Sequence, residues 1–343
     1  MIKSTSSLDR GFVQSLTWPI GGLVLGLLIL LTCLIFSVTL GAADIPLDSV
    51  YAALTSFDDS KDHLIIRTVR LPRSLLAIIV GAAISVSGAL MQGITRNPLA
   101  EPGILGINAG ASLAVVIAIF IFGTPALNIY IWYAFAGAGI TAVSVYFLAS
   151  LGRGGITPLN LTIAGAAISA LLTSLITTIL IVSQRTLEEI RFWLAGSLAA
   201  ADASIITQVL PYICIGLILA FLLSRQITIL SLGEDIAQGL GQQTLWIKIA
   251  AALSVFLLQG SAIAVTGGIG FIGLIVPHLV RFLVGIDYRW ILPYSAIFGS
   301  ILLLISDIFA RLVIRPQEIP VGIMTALVGA PFFIYLAKSN LKK

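Results

Sequence analysis

An all-α polytopic membrane protein with about ten transmembrane helices is the fold class the sequence predicts. Three observations predict it. Of the 343 residues, 58% are apolar and only 10% are charged, against about 25% charged in an ordinary soluble domain. Mean hydropathy is +1.09. The apolar residues also fall into runs of about 20, the length that crosses a hydrocarbon core as a helix. No soluble packing arrangement hides that much apolar surface, so the solvent is lipid. A nucleic-acid role is disfavoured as well. The net charge is only +4, and the 19 basic residues are scattered rather than gathered into a patch.

Ten segments qualify as spans: 19–40, 74–94, 103–122, 129–150, 161–183, 205–224, 247–266, 268–286, 290–310 and 320–337. The first follows Lys3 and Arg10 and precedes Gly41-Ala-Ala43, a pattern like a secretory signal with a small-residue cleavage site. Its run from Ile20 to Leu40 exceeds the roughly 7–15 residues of a signal core, so it reads as a retained span. The second carries Gly81-Ala-Ala83, Ser85, Ser87 and Gly88, a smooth face suited to close helix packing or to lining a channel. Cys33 and Cys214, in the first and sixth spans, read as packing residues rather than a disulfide or metal pair. The division between spans seven and eight falls among Gly267, Gly268, Gly270 and Gly273, and Pro277 interrupts span eight.

Ten spans put both termini on one side. With that side cytoplasmic, the inner face holds eleven basic and five acidic residues, the outer face eight and ten. The inequality places the termini inside. The chain then divides into a cytoplasmic segment 1–18, a transmembrane domain 19–337 and a cytoplasmic tail 338–343. Two outer segments carry structure: 44–66, with an amphipathic run, and 184–204, with Arg185, Glu188, Glu189 and Arg191 at helical spacing. The one substantial inner loop is 225–246.

Function is most legible at Arg96-Asn-Pro-Leu-Ala-Glu-Pro-Gly-Ile-Leu-Gly-Ile-Asn-Ala-Gly-Ala111. Two prolines, a carboxylate and three glycines interrupt an apolar sequence. Non-helical backbone at membrane depth is tolerated only where protein buries it or where it lines a water-filled cavity. The stretch therefore points to a pathway, and a pathway points to transport. No GxxxxGK[ST] phosphate loop occurs, so ATP is not bound by that route. Within the spans only Glu101, His278 and Asp307 could titrate or bind an ion, all near span ends. A self-contained ion-coupled carrier needs such groups and is disfavoured, so the energy comes from another protein. In the inner loop, Ser231 and Glu234 have the spacing of a capping box. A short helix is expected there, ending at Gly239 or Gly241, as a connector or as a knob gripped by a cytoplasmic motor. His278 reads as a residue satisfied by a carbonyl or water rather than a metal ligand.

Six motifs resemble one family. They are Arg70-Leu-Pro-Arg73, Arg96-Asn-Pro-Leu-Ala-Glu-Pro-Gly103, Leu232-Gly-Glu-Asp with Leu240-Gly241, Gly270-Phe-Ile-Gly-Leu-Ile-Val-Pro-His278, Ser306-Asp with Ala310-Arg311, and Thr325-Ala-Leu-Val-Gly-Ala-Pro-Phe-Phe333. In that order they are similar to the FecCD family, the permeases of ABC importers for iron–siderophore complexes, haem and cobalamin. The resemblance implies a type II importer: two ten-span permeases (a homodimer or a paralogous pair), two cytoplasmic ATPases and an extracytoplasmic binding protein. It implies no cofactor on this chain, since ATP and magnesium belong to the ATPases.

The resemblance also implies roles. Arg70, Arg73 and Arg311 match arginines that dock the binding protein, in exposed ion pairs that set orientation and on-rate. An ordinary interfacial anchor competes with that role, above all for Arg311, because Asp307 lies one helical turn away. Ser231, Leu232, Gly233, Glu234, Asp235, Leu240 and Gly241 match the ATPase-coupling element. Asn97 and Leu99, with the turn Thr157-Pro158-Leu159-Asn160, fall where the family narrows its cytoplasmic gate. Pro158 and Leu159 depart from the small hydroxyl residues of the cobalamin permease. Trp193-Leu-Ala-Gly-Ser-Leu198 and Gly106-Ile-Asn-Ala-Gly110 resemble the siderophore and ferric dicitrate branch. An iron(III) chelate is the expected substrate, cobalamin or haem the alternative, and an ion-coupled secondary carrier the alternative from another class.

Overall fold

A computed structural model describes residues 6–41, 44–123, 127–152, 157–199 and 202–340. Every regular element among them is helical. In order these are α1 (Ser6–Thr39), α2 (Leu47–Thr55), α3 (Lys61–Ile65), α4 (Leu71–Thr95), α5 (Ile107–Phe122), α6 (Leu127–Leu151), α7 (Pro158–Val182) and α8 (Gln184–Leu194). There follow α9 (Ala203–Leu222), α10 (Ser224–Leu232), α11 (Glu234–Gly239), α12 (Thr244–Thr266), α13 (Ile272–Val284), α14 (Tyr288–Leu312) and α15 (Val321–Asn340). Among the described residues, seven helical stretches are long and apolar enough to cross a membrane, and three shorter apolar helices lie at 107–122, 272–284 and 321–334. Together they fall on the ten segments expected from hydropathy. Lys3, Arg153, Lys342 and Lys343, which entered the orientation argument, and Ala42-Ala43 lie outside the described residues.

Helix α4 is the buried axis of the bundle. It packs most extensively on α14 and also meets α12 and α13. Its smooth face is a packing face: a Cβ at Gly81 would stand 2.5 Å from the Gly299 carbonyl oxygen, and one at Gly88 would collide with the Gly273 carbonyl. Only glycine lets these backbones touch, which is how membrane helices gain contact when lipid is as apolar as their side chains. Around the axis, α1 and α7 keep broad apolar faces outward, with Leu25 59% and Ile181 79% exposed.

Three boundaries differ from expectation, each for a local reason. The second span is the end of a helical run from Lys61 to Thr95. Pro72 lies just after its π-helical turn at Ile66–Arg70. Proline has no N–H for the ladder, which favours such a local widening. The third span begins as a short 3-10 turn at Pro102–Leu105 and becomes α-helical only at Ile107. The eighth, α13, has 13 residues and is about 20 Å long at 1.5 Å per residue. It does not cross alone. The glycines before it form non-helical backbone, with Gly267 at φ +70 and Phe271 also at φ +70.

Candidate functional site: the two ends of the bundle

At one end, three arginines gather where α1 stops. A helix leaves its last carbonyls without partners, and two guanidinium groups supply them. Arg70 donates through Nη1 to the carbonyls of Val38 (2.8 Å) and Thr39 (2.7 Å). Arg311, from the last turn of α14, donates through Nη1 to those of Ser37 (3.0 Å) and Leu40 (2.9 Å), and through Nη2 to Ser37 Oγ (2.9 Å). Cations also suit the negative end of the helix dipole. Arg73 turns to Asp307 instead, at 2.9 Å from Nε and 2.8 Å from Nη2, and reaches Glu318 at 2.7 Å through Nη1. Asp307 faces Arg311 at 3.1 Å as well. The pairing of Asp307 with Arg311 is the one the i, i+4 spacing anticipated.

All three guanidinium groups are buried, Arg70 and Arg73 6% exposed and Arg311 4%. The expectation of exposed ion pairs at these positions is therefore corrected. Each arginine has partners inside the chain, and together they tie α1, α4, α14 and the segment before α15. Asp307 is fully buried and would be costly there without compensating cations. The same end holds Trp193-Leu-Ala-Gly-Ser-Leu198, which forms a backbone joint. Ser197 N donates to the Thr266 carbonyl (2.8 Å) and Gly322 N to the Gly196 carbonyl (3.0 Å). Gly267 sits so close that a Cβ there would collide with the Trp193 carbonyl. Beside the joint lies a cavity of about 390 Å³ lined by Tyr130, Glu189, Trp193, Ser197 and Glu318 among others.

At the opposite end, α10 and α11 form a bent pair. Ser231 is not an N-cap. It remains inside α10 and donates to the Thr228 carbonyl at 2.7 Å. Gly233, at φ +146, breaks the chain, and α11 starts at Glu234 with no side-chain cap. The capping box is thus overturned, because the glycine between its two members ends one helix before the other begins. Glu234 instead anchors the element. Its Oε1 accepts from Lys248 Nζ at 2.6 Å and from Thr244 Oγ1 at 3.2 Å. The Lys248 hydrogen bond holds its carboxyl below the usual range. Helix α11 ends at Gly239, and Gly241 (φ +80) turns the chain toward α12. Asp235 is exposed. An apolar patch covers this end: Leu232 52%, Ile236 50%, Leu240 66% and Trp246 66% exposed.

The proposed gate residues each organise their own turn. Asn97 Oδ1 accepts from Leu99 N at 2.9 Å, the local bond that favours asparagine in turns. Thr157 is the N-cap of α7 and accepts from Asn160 N at 3.1 Å. Pro158 occupies the first helical position, where its missing N–H costs nothing. Leu159 is 67% exposed. Near the middle of the bundle, Asn108 Oδ1 accepts from Gln259 Nε2 at 3.1 Å, and Gln259 Oε1 accepts from Ser87 at 3.3 Å. Buried His278 Nδ1 has no partner among the described residues. Among the described residues no carbonyl supplies the bond expected from sequence.

Sequence reasoning missed Glu318, Lys248 and the Ser37 and Leu40 carbonyls as partners. Their contacts span from 14 to 274 positions in the chain, and no local pattern encodes them.

The whole-chain comparisons agree. The family model described as the FecCD transport family matches residues 28–339. The iron(3+)-hydroxamate import system permease protein FhuB of Bacillus subtilis (strain 168) is 47% identical over 318 residues, 92% of this chain and 82% of that protein. The ferric enterobactin transport system permease protein FepD of Escherichia coli (strain K12) is 40% identical, over 92% of this chain and 94% of that one. A solved chain described as a metal-chelate type ABC transporter in an inward-facing conformation superposes with a TM-score of 0.81 at 31% identity, covering 92% of this chain and 98% of its own. With motifs, ten apolar helices and these likenesses in accord, the chain belongs to the FecCD transport family.

Proposed function

We propose that this chain is the membrane-spanning permease subunit of an ATP-driven importer that brings an iron(III)–siderophore or ferric dicitrate complex into the cytoplasm. The observation that carries the mechanism is the α10–α11 end. A short helix between Gly233 and Gly241, anchored by Glu234 on Lys248, presents Ile236 and, at its end, Leu240 outward next to the exposed Leu232 that closes α10. An exposed apolar patch of this kind is a partner surface, and a cytoplasmic ATPase is the partner this reading assigns. Movement of the knob would switch the path between its two faces. The iron chelate is supported by the hydroxamate and enterobactin permeases among the relatives.

The reading includes a second permease, identical or paralogous, two ATPases that carry ATP and magnesium, and an extracytoplasmic binding protein. It places the chain in the cytoplasmic membrane with both termini inside. Asn97, Leu99 and Thr157–Asn160 narrow the cytoplasmic gate. Docking of the binding protein is assigned to the arginine end. Arg70 and Arg311 shape that surface through the α1 terminus, and Arg73 reaches an acidic partner only where Glu318 yields.

Uptake tests the function. Cells lacking the gene, with and without a plasmid copy, are given labelled ferric siderophores, ferric dicitrate, haem and cobalamin under iron limitation. Restoration of a ferric chelate alone supports the proposal. Restoration of haem or cobalamin alone refutes the substrate while keeping the importer. Uptake that persists when the ATPase partner is deleted, but collapses on loss of the ion gradient, would favour a secondary carrier.

A further inference from the structure

A cavity of about 220 Å³ opens at the α10–α11 end between α4, α10, α13 and α14. Arg96, Arg281, Ser231 and Tyr288 are among its lining residues, and no carboxylate is. Arg281 has no acidic partner among the described residues. Its Nη1 donates to Gln92 Oε1 at 2.5 Å and its Nη2 to Tyr288 Oη at 3.0 Å. Both of these neighbours are themselves pinned: Gln92 Nε2 bonds the carbonyls of Gly273 and Leu274 at 3.2 Å, and Tyr288 N bonds Thr228 Oγ1 at 2.9 Å. A guanidinium has five N–H donors, and these two bonds leave Arg281, which lines the cavity, with donors to spare. Arg96 is exposed and sits at φ +51 as the C-cap of α4, a conformation usually left to glycine or asparagine. Its acidic neighbour Glu234 is already held by Lys248 at 2.6 Å. Leu232 and Ile286, 52% and 62% exposed, form an apolar rim.

We propose that this cavity binds a phosphate group, carried by an anionic phospholipid head group or free in solution. Two arginines and the Tyr288 hydroxyl, whose own proton is free because its oxygen accepts from Arg281, line a cavity without a carboxylate and match the charge and acceptor oxygens of phosphate. Basic pockets between membrane helices at the cytoplasmic surface take such head groups. A bound phosphate would join the end of α4 to the end of α10, and so the Arg96–Ala111 stretch to the coupling element.

The test uses the full chain in detergent, titrated with short-chain phosphatidylglycerol, with inorganic phosphate and with short-chain phosphatidylcholine. Adducts are counted by native mass spectrometry. The expected result is retention of phosphatidylglycerol, phosphate or both above the phosphatidylcholine level, reduced roughly tenfold by Arg96→Gln. Retention of phosphatidylglycerol alone assigns the lipid source, and retention of inorganic phosphate the soluble one. Arg281→Lys should also weaken retention. Because it could disturb the fold, the exposed Arg96→Gln is the deciding variant. Equal retention of all three ligands, or retention unchanged in Arg96→Gln, overturns the proposal. Weaker copurification of the ATPase with Arg96→Gln, in the absence of anion binding, would assign the cavity to an acidic side chain of that partner instead. No uptake is read, so the result stands apart from the substrate assignment.

Discussion

The two ends of the bundle use charge in opposite ways. At the arginine end, cations and carboxylates are buried and spent on one another and on the carbonyls of α1. At the α10–α11 end the partly buried pair Glu234–Lys248 braces a short helix that keeps Ile236 outward, beside exposed Leu232 and Leu240. The first arrangement closes the chain on itself, and the second leaves a surface for something else. Charged residues near a span end are thus no guide to function by themselves. What separates the ends is whether the partners already exist within the chain.

Substitutions can break or sharpen this contrast. The largest effect is expected from Arg73→Glu, which sets a carboxylate against fully buried Asp307. Removing one partner of a buried pair costs about 3–5 kcal/mol, and reversal costs more. The folded protein should be lost from detergent extracts, as judged by size-exclusion chromatography. A monodisperse variant that merely fails to bind the binding protein would show that Arg73 faces outward after all. Next, Glu234→Ala should cut substrate-stimulated ATPase activity of the assembled transporter several-fold while changing stability by no more than about 1 kcal/mol. Normal stimulation would reduce the element to a connector.

The same pair gives a pH dependence. Glu234 has a lowered folded pKa, so its stabilisation is present above its unfolded pKa of about 4.3. That stabilisation disappears as pH falls through the lower folded value. Hydrogen exchange in α11 should rise only in strongly acidic buffer, and a rise near neutrality would contradict the assignment. A smaller effect is expected from Glu318→Gln, which frees one edge of Arg73. Binding-protein affinity should rise up to about fivefold, in keeping with about 0.2–1 kcal/mol for a contact whose carboxylate side is partly exposed. No change at any salt concentration would remove Arg73 from the docking surface. Smallest of all, His278→Ala should leave uptake within about twofold, as core truncation without a ligand role predicts. Complete loss at normal expression would point to ligation.

Much of this architecture was legible beforehand, because lipid imposes a single rule on every span. The ten apolar segments follow from the hydropathy pattern, and the smooth face of α4 is visible in sequence, but only the contacts of Gly81 with Gly299 and Gly88 with Gly273 decide for packing over channel lining. Helix α11 was legible as an element but not in its start. Ser231 and Glu234 have the right spacing, yet Gly233 separates two helices and Ser231 bonds backward to Thr228. The arginines are legible as cations near span ends, but their direction is not. Asp307 and Glu318 lie 234 and 245 positions from Arg73, and only the folded bundle brings them together. The glycines at 267–273 marked a break without revealing that it shortens α13 and seats Gly267 on Trp193.

The contrast between the ends is tested most directly by Ile236→Asp, at an exposed apolar position on α11. The measurement is ATPase stimulation by substrate-loaded binding protein in the reassembled transporter. The account predicts a permease that folds and melts like the wild type, while the stimulation is abolished. Full stimulation with the charge in place would mean that the ATPase does not grip this patch.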